Sequence, residues 1–263
     1  MSVDLTKEDH VITEFLKSIG PWKKHVVIGG GYAPIIYNLY LADQNKENPP
    51  VATRDIDSLI PRKVPAESSK NIAKHLIEGG FEPFFKDREN PASQAYVKEI
   101  AGHEVEIEFL TDDSARTDKG KNVIVSGVVA QPLSYLNLSL QNTVEFKTQS
   151  GHAGLVVSPS AWMFHKGLTF TKRTSTVKGY KDLYGIWYVG SQLGSFSEKA
   201  IDHLKTFSTH HPKWFKTFQT NLVEWLDQAS PIDWMSMEAQ DPFGALQKST
   251  FVHLLKRITL IQK

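Results

Sequence analysis

The chain has 263 residues, 40% of them hydrophobic and 22% charged, with 30 Lys and Arg against 29 Asp and Glu. That balance sustains a packed core and excludes a disordered chain, a polybasic tail protein and a strongly acidic one, while leaving room for a local basic groove. With no cysteine at all, disulfides, thiolate zinc sites, iron–sulfur clusters and cysteine nucleophiles are excluded together. The opening MSVDLTKEDH carries acids in place of a signal peptide's apolar run, and no stretch approaches the ~18 apolar residues that span a bilayer. The expectation is a soluble, cytoplasmic protein that does not engage a membrane.

Taken in chain order, Leu5 to Ile19 reads as a helix. Thr6 and Asp9 resemble a capping box at its start, and Gly20-Pro21 stops it. His25 to Ile28 is a short apolar strand, cut by Gly29-Gly30-Gly31 and followed by a helix from Pro34 to Ala42. Strand, glycine turn and helix in this order let a backbone approach a ligand closely. Asp43 to Pro50 reads as a loop, Arg54 to Ile60 as a strand, and Ala66 to Glu78 as a helix with Ile72, Leu76 and Ile77 inward. Strands are expected at Gln94–Ile100 and Glu104–Thr111, joined by a tight Ala-Gly-His turn. Asp112 to Lys121 reads as a surface loop. Further strands are expected at Asn122–Val129, Val144–Thr148 and Leu155–Val157. At Ser158-Pro159, a helix start, the composition changes. Helices are expected over about 159–171, 178–190, 197–208, 213–228 and 242–261, the last opened by Asp241-Pro242. The division is a mixed half, 1–157, and a helical half, 158–263.

Chemistry concentrates in Arg54-Asp55-Ile56-Asp57. In a strand, residues two apart face the same way, so Asp55 and Asp57 stand ~6.5 Å apart with Ile56 pointing into the core. Adjacent carboxylates repel unless a cation lies between them. Hard divalent ions, Mg²⁺ above all, suit oxygen ligands. Fifty residues on, Glu104, Glu106 and Glu108 alternate with Val105, Ile107 and Phe109. One of these acids joins the pair if the two strands are neighbours, whereas Glu104 fits the solvated face of a two-faced strand. Three carboxylates can hold two metal ions, and the Gly30-Gly31 turn at a helix start can face a phosphate. Together these point to phosphoryl or nucleotidyl transfer.

The run of Gly30-Gly31-Tyr32-Ala33, a helix, Arg54-Asp55-Ile56-Asp57 and a later acidic strand resembles the nucleotidyltransferase superfamily with the DNA polymerase β-like fold. Within it the chain is most similar to bacterial AbiEii/MenT-like toxin-type nucleotidyltransferases. The second half adds Ser158-Pro159, His165-Lys166-Gly167-Leu168, Lys172-Arg173 and Lys181-Asp182-Leu183, similar to the helical-lobe signature of those proteins. The resemblance covers roughly residues 20–190. It implies an α+β fold, a mixed-sheet catalytic domain followed by an α-helical domain that binds nucleotide and substrate. It implies Mg²⁺ or Mn²⁺ on Asp55, Asp57 and a third acid, best matched by Glu108 with Glu106 as the fallback. Gly30 and Gly31 would bound the nucleotide turn. Lys166 and Lys178 would face triphosphate oxygens, with Arg173 and Lys181 as weaker candidates, and Asp182 would orient a neighbouring lysine. The implied substrate is an NTP and the implied acceptor an RNA or tRNA end or a protein side chain; a cognate antitoxin or a phage-defence role follows from the same likeness. The chain departs from the pattern in the third acid, Glu in place of Asp, in Gly167 and in Gly185.

Two other readings compete. One is a nucleotidyltransferase fold that binds a nucleotide or partner without turnover. The other is an RNA-binding protein without nucleotide chemistry, against which the near-neutral charge argues. His203, His210 and His211 lack the spacing of a metal site backed by an acid. The aromatic residues between Trp214 and Trp225 recur at helical spacing, as core residues do, and packing is the default for Trp162 and Trp187 too.

Overall fold

The computed structural model describes residues 4–43, 48–51, 53–88, 91–113 and 120–260. It divides into two compact units. One holds residues 4–40 and 52–158; the other holds residues 41–51 and the chain from Pro159 onward.

In the first unit α1 spans Leu5–Ile19 as its periodicity predicts, burying Val11, Ile12, Phe15, Leu16 and Ile19. Its cap is Asp4, whose carboxylate accepts from the Thr6 and Lys7 N–H groups, not the Thr6/Asp9 box expected. Strand β1 is Val27–Ile28, and α2, Tyr32–Ile36, runs on into a π-helical turn, Tyr37–Leu41. Strand β2 is Asp55–Leu59. Helix α3 is only Ile72–Glu78. Its expected first turn is displaced by side-chain bonds to backbone, from Lys70 N–H to the Ser68 hydroxyl and from Lys74 N–H to the Asn71 cap. Ile72 and Leu76 face inward, but Ile77, one residue past that face, is exposed.

Strands β3 (Glu82–Phe85), β4 (Gln94–Ile100) and β5 (His103–Asp112) follow. Ala101 and Gly102 both take positive φ, which makes the tight β4–β5 turn. The single strand expected over 122–129 is a hairpin of β6 (Val123–Val125) and β7 (Val128–Leu133). Ser126 and Gly127, also at positive φ, turn the chain between them. Most of the expected 112–121 loop, residues 114–119, lies outside the described residues. Helix α4 (Leu136–Gln141) leads to β8 (Thr143–Lys147) and β9 (Ala153–Val157).

Among the described residues these strands make one mixed sheet in the order β3-β4-β5-β2-β1-β9-β8, with β7 beside the second half of β5 and β6 beyond it. Alternate residues Val105, Ile107, Phe109 and Thr111 of β5 are buried while Glu106, Glu108 and Leu110 are half-buried, so the two faces of the strand differ sharply.

The second unit is helical: α5 (Pro159–Thr169), α6 (Thr176–Ser191), α7 (Ser195–His210), α8 (Pro212–Gln228), α9 (Pro231–Glu238) and α10 (Lys248–Thr259). Of these, α10 is a shorter form of the helix expected over 242–261, and α9 is a helix beyond those expected. Ser230-Pro231 supplies the start signal of α9, with a capping box to Asp233. Asp241-Pro242 is a turn, its carboxylate accepting from the Phe243 and Leu246 N–H groups. Glycines let these helices pack closely. A Cβ on Gly167 would lie 2.3 Å from the Phe218 ring, and one on Gly185 would lie 2.5 Å from the Trp162 ring. Trp162 and Trp187 are buried. No helix among the described residues is long and apolar enough to cross a membrane.

Candidate active site

Strands β2 and β5 run parallel, with Asp55 beside Glu106, Ile56 beside Ile107 and Asp57 beside Glu108. Paired residues share a sheet face. The four carboxylates therefore stand in two rows, about 4.8 Å apart across the strands, while the fully buried isoleucines fill the other face. The register admits both Glu106 and Glu108, which the sequence offered as alternatives. Glu104 falls outside, opposite Glu99 of β4 and two residues before Glu106, the partner of the first residue of β2.

The glycine turn lies directly against this pair. The Gly29 N–H donates to the Asp57 carbonyl at 2.8 Å, tying the turn to β2. Gly30 has φ +53, and a Cβ there would fall 1.6 Å from Asp57 Oδ2. A Cβ on Gly31 would fall 2.8 Å from the Thr53 methyl. A side chain at Gly30 is thus excluded both by its conformation and by the aspartate it touches.

Three further residues belong to this face. The Lys86 ammonium hydrogen-bonds Glu108 and forms an ion pair with Glu106. Burial disfavours its charge, yet the two glutamates outweigh burial and raise its pKa above the ordinary lysine value. Tyr32, the first residue of α2, is buried; desolvation, with the Glu8 and Asp55 carboxylates nearby, pushes its phenol well up. Glu8 of α1 is raised by burial, against the lowering effect of its hydrogen bond with Tyr32, and its Oε2 has no partner among the described residues. None of the three follows from motif spacing. Lys86 lies just past the strand EPFF, exposed throughout and without alternation, and Glu8 reads as the solvated face of an N-terminal helix.

Among the described residues no group of three or more His, Asp and Glu side chains is gathered closely enough to hold a metal ion. Glu106 and Glu108 are engaged with Lys86. The donor set nonetheless fits a divalent ion: it consists of carboxylate oxygens, the ligands of Mg²⁺ and Mn²⁺, and a cation already bonds two of them.

In the helical unit the predicted residues separate. Asp182 is buried and accepts from Lys166 Nζ at 2.6 Å and from Arg173 Nε at 2.7 Å. Burial works to raise its carboxyl, but the two cations more than offset this and hold it below the usual aspartate range. Lys166 also lies over the Trp162 ring. Lys178 is exposed and Lys181 half-buried. Arg173 also borders a cavity of about 410 Å³ lined by Phe170, Tyr180, Leu183, Trp225 and Asp233. The histidines serve packing: His203 Nδ1 pairs with the Ser160 hydroxyl at 2.8 Å, and His211 stacks on Trp214.

A mixed sheet that brings strand-borne carboxylates to a glycine turn, with helices following, defines the class as α+β with a nucleotidyltransferase-like fold. The family model described as Nucleotidyltransferase matches residues 7–203, and the chain belongs to that family. Among solved structures it is similar to the crystal structure of an antigenic nucleotidyltransferase-like protein from Paracoccidioides brasiliensis. The identity is 14%, covering 81% of this chain and 93% of that one, with a TM-score of 0.41. No curated protein matches the chain.

Proposed function

We propose that this protein transfers a nucleoside monophosphate from an NTP to a hydroxyl acceptor, with Mg²⁺ or Mn²⁺ held by Asp55, Asp57 and Glu108 and with Glu106 beside them. The observation that carries this reading is the β2–β5 register, which sets Asp57 next to Glu108 directly under the Gly30 turn. When bound, the ion neutralises triphosphate charge and lowers the pKa of the attacking hydroxyl. The chain's own share is positioning. Ile56 and Ile107 anchor the two strands, and Gly30, without a side chain, lets the backbone of the turn lie against Asp57, where a phosphate would meet it. Lys166, Arg173, Lys178 and Lys181 are the helical unit's candidates for triphosphate oxygens, with Asp182 fixing the orientation of the first two. The acceptor is an RNA end, such as that of tRNA, or a protein side chain. A toxin role in the cytoplasm with a cognate antitoxin rests on the likeness to AbiEii/MenT-like proteins.

The test is label transfer from each of the four α-³²P NTPs to bulk RNA or to protein, with Mg²⁺ or Mn²⁺, comparing the wild type with Asp55→Asn and Asp57→Asn. Transfer that both variants abolish supports the reading. Binding of NTP with no transfer to any acceptor sinks it and favours the second reading, a binding module without turnover. The Lys86 bond to Glu106 and Glu108 is the observation on that side.

A further inference from the structure

We propose that Lys86 is a resident counter-cation that a divalent ion must displace from Glu106 and Glu108, so that the chain's own ammonium sets how readily the site takes metal. This rests on reading the carboxylate face as the nucleotidyl-transfer centre.

The backbone places Lys86 for this. On β3, Phe84 pairs with Ala95 of β4, Ala95 with Glu108 of β5, and Glu108 with Asp57 of β2. These residues occupy one face, and Lys86 is the next residue of β3's alternation on it. Its N–H donates to the Ser93 carbonyl at 2.8 Å, which continues the β3–β4 pairing one step past the strand. From there the side chain reaches back to both glutamates. Its anchorage is light, because every residue of β3 is exposed and the lysine side chain is itself 33% exposed. Like charges stand side by side in the two register rows, and Lys86 meets the glutamates of those rows. A divalent ion ligated by Glu108 and Asp57 competes with the ammonium for the Glu108 carboxylate, since like charges at close distance repel. The metal, with several oxygen ligands and twice the charge, displaces the lysine, whose flexible four-carbon stem lets it leave.

The test is Mn²⁺ binding without nucleotide, followed by the electron paramagnetic resonance signal of free Mn²⁺, for wild type, Lys86→Met, Lys86→Arg and Asp57→Asn. Lys86→Met is expected to bind Mn²⁺ about fivefold more tightly than wild type, the upper end of the scale of one partly exposed ion pair. Lys86→Arg, which keeps the charge, stays near wild type. Equal affinity in Lys86→Met and wild type, with binding still lost in Asp57→Asn, overturns the displacement alone. Mn²⁺ binding indifferent to Asp57→Asn, or absent throughout, overturns the reading of the site and the displacement with it. In the unsubstituted protein, the Lys86 ¹⁵Nζ resonance shifts on adding Mg²⁺ if the ammonium is released; a resonance that does not move at saturating Mg²⁺ counts against the proposal however the variants fold.

Discussion

On the sheet, four carboxylates stand in two register rows and Lys86 bonds two of them; in the helical unit one buried carboxylate, Asp182, receives two cations, Lys166 and Arg173. The helical cluster is electrostatically complete. On the sheet face like charges stand side by side, and the Gly30 turn presses backbone against one of the acids. Like charges kept side by side repel, and a cationic ligand of the kind proposed would relieve that repulsion. The contrast can be tested, because removing charge from a complete cluster costs stability, whereas removing it from the repelling rows costs function.

The largest effect falls on the sheet. Asp57→Asn is expected to lower label transfer by about 10³-fold or more, the scale for losing a group that acts only as part of a catalytic set. Its melting temperature holds or rises, since the substitution relieves repulsion from Glu108 in the adjacent register position. A variant that keeps transfer, or that loses it only by unfolding, breaks the contrast. In the helical unit the expectation reverses. Asp182→Asn leaves Lys166, 13% exposed, without its carboxylate, and costs about 3 kcal/mol in urea denaturation. The pH dependence follows from the direction of the shift. The Asp182 carboxyl is held below its unfolded value by Lys166 and Arg173. Its stabilisation is therefore fully present above the unfolded aspartate value, near pH 4, and is lost as pH falls through the lower folded value. Asp182→Asn removes that acid limb from the stability profile.

Gly30→Ala separates strain from contact. At Gly151, with φ +85 and open space around it, an alanine meets only the backbone penalty, about 1 kcal/mol. At Gly30 the same penalty is joined by the collision with Asp57 Oδ2, so the loss is expected to reach about 2–3 kcal/mol, with a fall in transfer that Gly151→Ala does not show. Equal losses at the two positions remove the close approach from the account.

How much of this was legible in the sequence follows the range of the interactions. Asp55-Ile56-Asp57 and the Glu/Val/Ile alternation of β5 fix which residues share a face, because side-chain alternation is local. Which glutamate meets which aspartate depends on a parallel pairing between strands fifty residues apart, and no local signal encodes that register. Lys86 escaped because its strand, Glu-Pro-Phe-Phe, is exposed on both faces and shows no period to read. Gly167 and Gly185, departures from the family pattern in sequence, have a packing cause in the structure: each lies beneath an aromatic ring, Phe218 or Trp162, that a side chain would strike. Ser230-Pro231 and Asp241-Pro242 look alike as helix starts. Only the first is followed by helix, because the Asp241 carboxylate spends its capping capacity on the turn it begins.

The smallest expected effect marks where the acidic face ends. Glu104 shares the alternation of Glu106 and Glu108 but pairs with Glu99 of β4, beyond the first residue of β2. Directly opposed like charges on an antiparallel pair weaken it slightly. Glu104→Gln is therefore expected to raise the melting temperature by about 1 °C, leaving label transfer and Mn²⁺ affinity as in the wild type. The register agrees with the sequence reading of Glu104 as a solvated strand residue. A loss of transfer in Glu104→Gln would extend the functional face one row past β2, and the register would no longer define the site.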